Sequence, residues 1–111
     1  MKLSDIKGER VFDVIAEVID PIAKIAEDED AAKLFHRDVC PDDMAPWQFF
    51  VRKLRKHLPA LVKGHKAELV HILSTIQGVT DEEYIEGVTL GSLIRDLTEL
   101  VTDVEFVSFF E

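Results

Sequence analysis

VFDVIAEVIDPIAKIA, residues 11–26, decides the fold. Val11, Ile15, Val18, Ile22 and Ile25 recur at steps of four and three, and Phe12, Ala16, Ile19, Ala23 and Ala26 form a second stripe beside them. That spacing is the period of an α-helix with a wide apolar face. Pro21 lacks the amide an inner turn needs and crowds the turn before it, so a kink, or a break with a fresh start at Pro21, is expected. The run Glu27-Asp28-Glu29-Asp30 ends the pattern, and Asp30 is placed to cap a short helix through Leu34 and Phe35.

Working outward, HRDVCPDDMAP (residues 36–46) has two prolines and no periodicity and reads as a connecting loop. From Trp47 the apolar positions 47, 50, 51, 54, 58, 61 and 62 share one helical face, expected to point inward, while Arg52, Lys53, Arg55, Lys56 and His57 point elsewhere. Pro59 is expected to restart this helix, and Gly64 to take the left-handed position after its end. A further helix over 65–77 turns Leu69, Ile72, Leu73 and Ile76 inward, and Gly78 stops it. Thr80 and Glu83 have the spacing of a capping box, which starts a short helix ended by Gly87. Leu90, Leu93, Ile94, Leu97, Leu100 and Val101 then give another inward stripe, and Asp103 is placed to cap a last turn. No segment alternates like a strand, and asparagine is absent, so no Asn-Gly hairpin turn exists. The prediction is an all-α irregular bundle of five to seven short helices forming a single domain over residues 1–111.

Length and composition agree with that. A chain of 111 residues can bury roughly two thirds of its extended surface. With 47% hydrophobic and 32% charged residues it has the balance of a globular fold. No apolar run is long enough to span a membrane, and Met1-Lys2-Leu3-Ser4-Asp5 leads into no signal-peptide core, so a cytoplasmic protein is expected. A single cysteine, Cys40, excludes an intrachain disulfide. The net charge of −9 argues against nucleic-acid binding. Its distribution is uneven. Six Lys or Arg face twelve Asp or Glu in residues 1–43 (−6), six face one in 44–80 (+5), and one faces nine in 81–111 (−8). Such an acid-base-acid layout can hold one folded chain together, steer copies head to tail, or be simply a solvated basic face on one helix.

Residues for chemistry are sparse. His36-Arg37-Asp38 imitates the start of a kinase catalytic loop, but the required asparagine and a glycine-rich phosphate loop are missing. His36 and Cys40 have the spacing of two metal ligands, whereas a structural zinc needs four. Cys40 is flanked by Asp38, Asp42 and Asp43, the opposite of an activating setting for a nucleophile. No catalytic, cofactor or metal residue is assigned, and the chain is expected not to be an enzyme.

The surface is more informative. Trp47, Phe49 and Phe50 cannot all lie on one narrow stripe, so one, Phe49, is expected to be exposed. The end of the chain, VEFVSFFE (residues 104–111), places Val104, Phe106, Val107, Phe109 and Phe110 around most of a helical circumference. Either this segment docks across its own bundle or it is kept for a partner. The candidate partner-binding residues are Phe106, Val107, Phe109 and Phe110, with Trp47 and Phe49.

The stretch LPALVKGHKAELVHILSTIQGVTDEEYIEGVTLGSLIRDLTELVTD (residues 58–103) resembles the tail assembly chaperones of long-tailed bacteriophages and prophages. The likeness lies in the order of its parts: a Leu-Pro helix with a basic stretch, HKAELVHILSTIQG, VTDEEYIEG, then an apolar helix with acidic flanks and a short aromatic end. The opening MKLSDIKGERVFDVIAEVIDPIAKIAEDED is similar to the start of such proteins. The resemblance implies a small, all-helical, non-enzymatic protein in the cytoplasm of the bacterial host. It would bind the tape measure protein, keep its apolar helices soluble, help recruit the tail tube protein, and be missing from the mature virion. It carries over no individual binding residue. A possible homo-oligomer, a small acidic adaptor or inhibitor, and a structural tail or head-tail component are the competing expectations.

Overall fold

The computed structural model describes residues 2–36 and 38–110, so Arg37 of the kinase-like tripeptide lies outside the described residues. The chain is all-α: α1 (Arg10–Glu27), α2 (Glu29–Ala32), α3 (Pro46–Gln77), α4 (Asp81–Gly87), α5 (Leu90–Thr102) and α6 (Val104–Ser108), with 3-10 turns at Leu3–Asp5 and Lys33–Phe35. Among the described residues there is no strand, and no helix is long and apolar enough to cross a membrane.

α1 runs unbroken through Pro21, contrary to the expected fresh start. The proline costs its helix about 3 kcal/mol. Val14, Val18, Ile22 and Ile25 are buried on both sides of it. Each such burial is worth roughly 1.5–3 kcal/mol, so tertiary packing carries the helix past its weak turn. α1 packs on α3, which supplies Leu61, Leu69, Ile72, Leu73 and Ile76 to the same core.

α3 differs from expectation in part. Pro59 does not restart it and Gly64 is not left-handed, but the break expected beside Gly64 is present: two helical segments meet at a kink at His65 (φ −136°, ψ 32°), over 32 residues in all. A contact across the bundle holds that kink. His65 Nε2 lies 2.9 Å from Asp28 Oδ2, while Asp28 Oδ1 accepts from the amides of Asp30 and Ala31. Asp28, not the expected Asp30, therefore caps α2, and the same carboxylate holds the kink.

The far end of α3 closes as Gly78 predicts. Gly78 adopts φ +74°, its amide donates to Thr75 O, and the Val79 amide donates to Ser74 O, the paired bonds of a Schellman motif. The Arg10 guanidinium donates to Thr75 O and Ile76 O, bringing a cation from α1 to the helix C-terminus. The Thr80–Glu83 capping box forms as expected, and Thr89 caps α5 by accepting from Ser92 N. Tyr84 Oη donates to the buried Asp96 at 2.8 Å, tying α4 to α5, and burial beside that carboxylate raises the tyrosine pKa. On α5, Leu97 and Leu100 are buried, but Leu90, expected inward, is exposed.

The chain end docks on the body. Asp103, itself buried, accepts from the amides of Glu105 and Phe106 and, through its second oxygen, from Ser4 N. One carboxylate thus starts α6 and ties it to the N-terminal turn. Replacing it with alanine leaves the Ser4 amide unpaired and removes the cap, so Asp103→Ala is expected to cost about 2 kcal/mol in urea unfolding. Phe106→Ala should cost more, about 3–5 kcal/mol. A loss below 1 kcal/mol for Phe106→Ala would contradict the docking described here.

Candidate docking surface

Phe106, Val107 and Phe110, named as partner-binding candidates, are part of the core. Phe106 packs edge-on against Phe35 at 5.1 Å between ring centroids, and Phe110 completes the cluster at 4.9 Å from Phe35 and 5.4 Å from Phe106. The physical reason is Phe35. The turn after α2 presents this large ring to the centre, and the chain end brings two further rings against it. Phe109 falls on the other side of the helical turn and stays 38% exposed. Together with Leu3, Ile6, Val11, Phe12 and Ile15 it lines a shallow apolar groove that Glu105 borders. Phe12 is 75% exposed there, so the second stripe read beside Val11 is a surface feature.

The other aromatic group also divides. Trp47 is the exposed member, at 66%, whereas Phe49, expected outside, is half-buried with the Lys53 ammonium 5.8 Å from its ring centre. Lys53 Nζ also donates to His36 O at 2.8 Å and pairs with Asp38 at 3.2 Å, which fastens the loop to α3 around Phe49. That contact is what removes Phe49 from the surface.

The main feature missed by reading the sequence is the outer face of α3. Val51, Leu54, Leu58 and Val62 follow each other at steps of three and four, and Ile94 of α5 stands beside them, with Arg55 and Lys63 in the same lining. Val51 and Val62 are exposed, Leu54 and Leu58 partly so, and of the inward face expected for this half only Leu61 is fully buried. The helix turns its opposite side to α2, where His57 Nδ1 meets Asp30 Oδ1 at 2.8 Å. A signal for this existed in the sequence. With two flanking stripes already on residues 11–26, there is more apolar helix face than one small bundle can enclose.

A polar cleft lies on the far side, lined by Glu17, His71, Ser74, Thr75 and Asp81. His71 Nε2 is 2.9 Å from Glu17 Oε2, and Nδ1 is 3.1 Å from both Asp81 oxygens. Ser74 Oγ donates to Asp81 and to His71 O rather than toward a histidine nitrogen, and Ser74 is fully buried. Although the residue types suggest a catalytic triad, both ring nitrogens are committed to carboxylates, and the cluster joins α1, α3 and the start of α4.

Compared with protein-family models, with curated proteins and with solved structures, the chain matches none of them.

The cluster sets a pH dependence. Desolvation opposes the charged imidazole, but the bonds to Glu17 and Asp81 outweigh it and raise the His71 pKa above its ordinary 6.5. Its stabilising contribution is therefore complete below pH 6.5 and lost as pH rises through the higher folded value. Asp28 is lowered from 3.8, first by its bond with His65, and Asp81 from 3.8, first by Ser74; their contributions are present above pH 3.8 and lost below it. Urea unfolding across pH should show stability declining on the alkaline side of 6.5 in the native chain. His71→Gln should flatten that decline, and an unchanged slope would remove His71 as its source.

Proposed function

We propose that this chain is a tail assembly chaperone of the long-tailed phage kind, a non-catalytic protein that binds apolar helical segments of the tape measure protein and keeps them soluble. The observation that carries this reading is the outer face of α3. Val51, Leu54, Leu58 and Val62 make three turns of apolar helix surface that the chain's own elements cover only in part: Val51 and Val62 are exposed, while Leu54 and Leu58 are half-buried against the core. Such a face gains roughly 25 cal/mol per Å² by covering itself with another apolar helix, while the surrounding charge keeps the free protein in solution. Helix-in-groove recognition uses anchors at steps of three and four, the spacing of this stripe. The resemblance of residues 58–103 to the chaperone family supplies the client, the role of recruiting tail tube protein, the host cytoplasm as the site of action and absence from the finished virion. Trp47 and Phe109 remain as binding residues on this reading. Self-association through the same apolar surfaces is compatible with it.

A second reading, a small acidic adaptor that occupies a basic site on another protein, draws on the net charge of −9. Ionic strength separates the two: an acidic mimic loses its partner as salt rises, whereas an apolar clamp holds or tightens.

The test is co-expression. Helical segments of a tape measure protein that aggregate alone should be recovered in the soluble fraction with the native chain, and should precipitate again with Val51→Asp/Leu58→Asp. A variant pair that folds normally and still keeps the segments soluble would refute the assignment to this face.

A further inference from the structure

We propose that the α3 face selects for charge: its occupant is an amphipathic helix of another protein whose apolar stripe is bordered by Asp or Glu. This rests on the reading of the α3 face as a binding surface, and it names the chemistry of the partner.

The argument starts from the two borders of the stripe. On one side the helix is fastened to the bundle by buried Leu61, by His57 on Asp30 and by Lys53 on Asp38 and the His36 carbonyl. On the other side the register of α3 brings Arg55 to the edge of the stripe, with Arg52 and Lys63 beyond it. All three are exposed, and Arg55 and Lys63 line the face itself. No carboxylate is part of that lining. The segment 44–80 holds six Lys or Arg against one Asp or Glu, in a chain whose net charge is −9.

That concentration of cations answers which of the two apolar surfaces a given helix would choose. The groove over Phe12 and Phe109 is bordered by Glu105, so it repels an acidic flank. The α3 face attracts one. A helix carrying Lys or Arg beside its stripe meets like charge along three turns and is disfavoured. Leu90, one turn before Ile94 on α5, is also exposed and extends the floor on which the partner's apolar side chains rest.

Trp47 provides a direct readout. It is the only tryptophan in the chain and lies one turn before Val51 on the same stripe, so its emission responds to a helix laid on the face. The probes are three synthetic helical peptides without tryptophan, identical in their leucine stripe and bordered by Glu, Gln or Lys. The full-length chain should bind the Glu-bordered peptide about tenfold more tightly than the Gln-bordered one at low salt, the size expected of a few exposed charge pairs acting together. High salt should shrink the advantage. Arg52→Glu/Arg55→Glu/Lys63→Glu, all at exposed positions, should keep the melting temperature and reverse the order. Leu58→Ser should weaken all three peptides.

Equal affinities, a preference for the Lys border, or loss of binding with Phe12→Ser but not with Leu58→Ser would each overturn the proposal. So would concentration-dependent self-association, measured without peptide and abolished by Leu58→Ser, since the face would then belong to a second copy. If the Glu preference holds but tape measure segments are not kept soluble, the partner chemistry stands and the chaperone role falls. If the segments are kept soluble and the peptides show no charge preference, the reverse is true.

Discussion

The length of α3 is the constraint from which most of this architecture follows. A straight helix of 32 residues would reach about 48 Å, against about 27 Å for the 18 residues of α1. Nothing else in a chain of 111 residues can lie along all of it, and the molecule as a whole extends 43 Å in its longest direction. The chain meets this problem in two ways. It bends α3 at His65, holding the bend with Asp28, so that the C-terminal half can lie against α1 while the first half passes over α2. It also leaves the outer side of the first half only partly covered, and that remainder is the surface on which the functional reading stands.

Electrostatics follow the same division. The acidic N-terminal block meets the histidines of α3 one after another: Asp30 with His57, Asp28 with His65, and Glu17 with His71. Of the alternatives open for an acid-base-acid chain, part of the complementarity is therefore used within one molecule. The last of these pairs raises the His71 pKa above its ordinary 6.5, so the tie between α1 and α3 weakens as pH rises through that higher value. The arginines and lysines that α3 does not turn toward α2 remain available on its outer edge.

How much of this was legible depended on range. Local signals were read correctly where one or two neighbouring residues decide the geometry, as at Gly78, the Thr80–Glu83 box and Asp103. Prolines inside helices misled, because Pro21 and Pro59 act through energies smaller than those of the packing around them, whereas the break expected beside Gly64 is present at His65. Asp30 was read as the cap of α2, whereas Asp28 takes that place and also meets the distant His65. The fate of apolar stripes was the least legible feature. Val18 and Ile19 differ little as sequence letters, yet one is sealed and the other open, and Val51 and Leu58 have the same periodicity as Leu69 and Leu73. Periodicity shows that a face exists, while the number of elements able to cover it is a property of the whole chain. The tail illustrates this well, since Phe106 and Phe110 are claimed by Phe35, seventy and more positions away.

The closure of Phe35 by Phe106 and Phe110 has a consequence for biosynthesis. The ribosome delivers α1, α2 and their turn long before it delivers the two rings that pack on Phe35, so this side of the interior stays incomplete until the end of translation. The native arrangement is completed only once residue 110 has left the exit tunnel. A nascent chain stalled short of that point would display more of that phenylalanine in addition to the apolar face of α3, and would be a substrate for general folding chaperones.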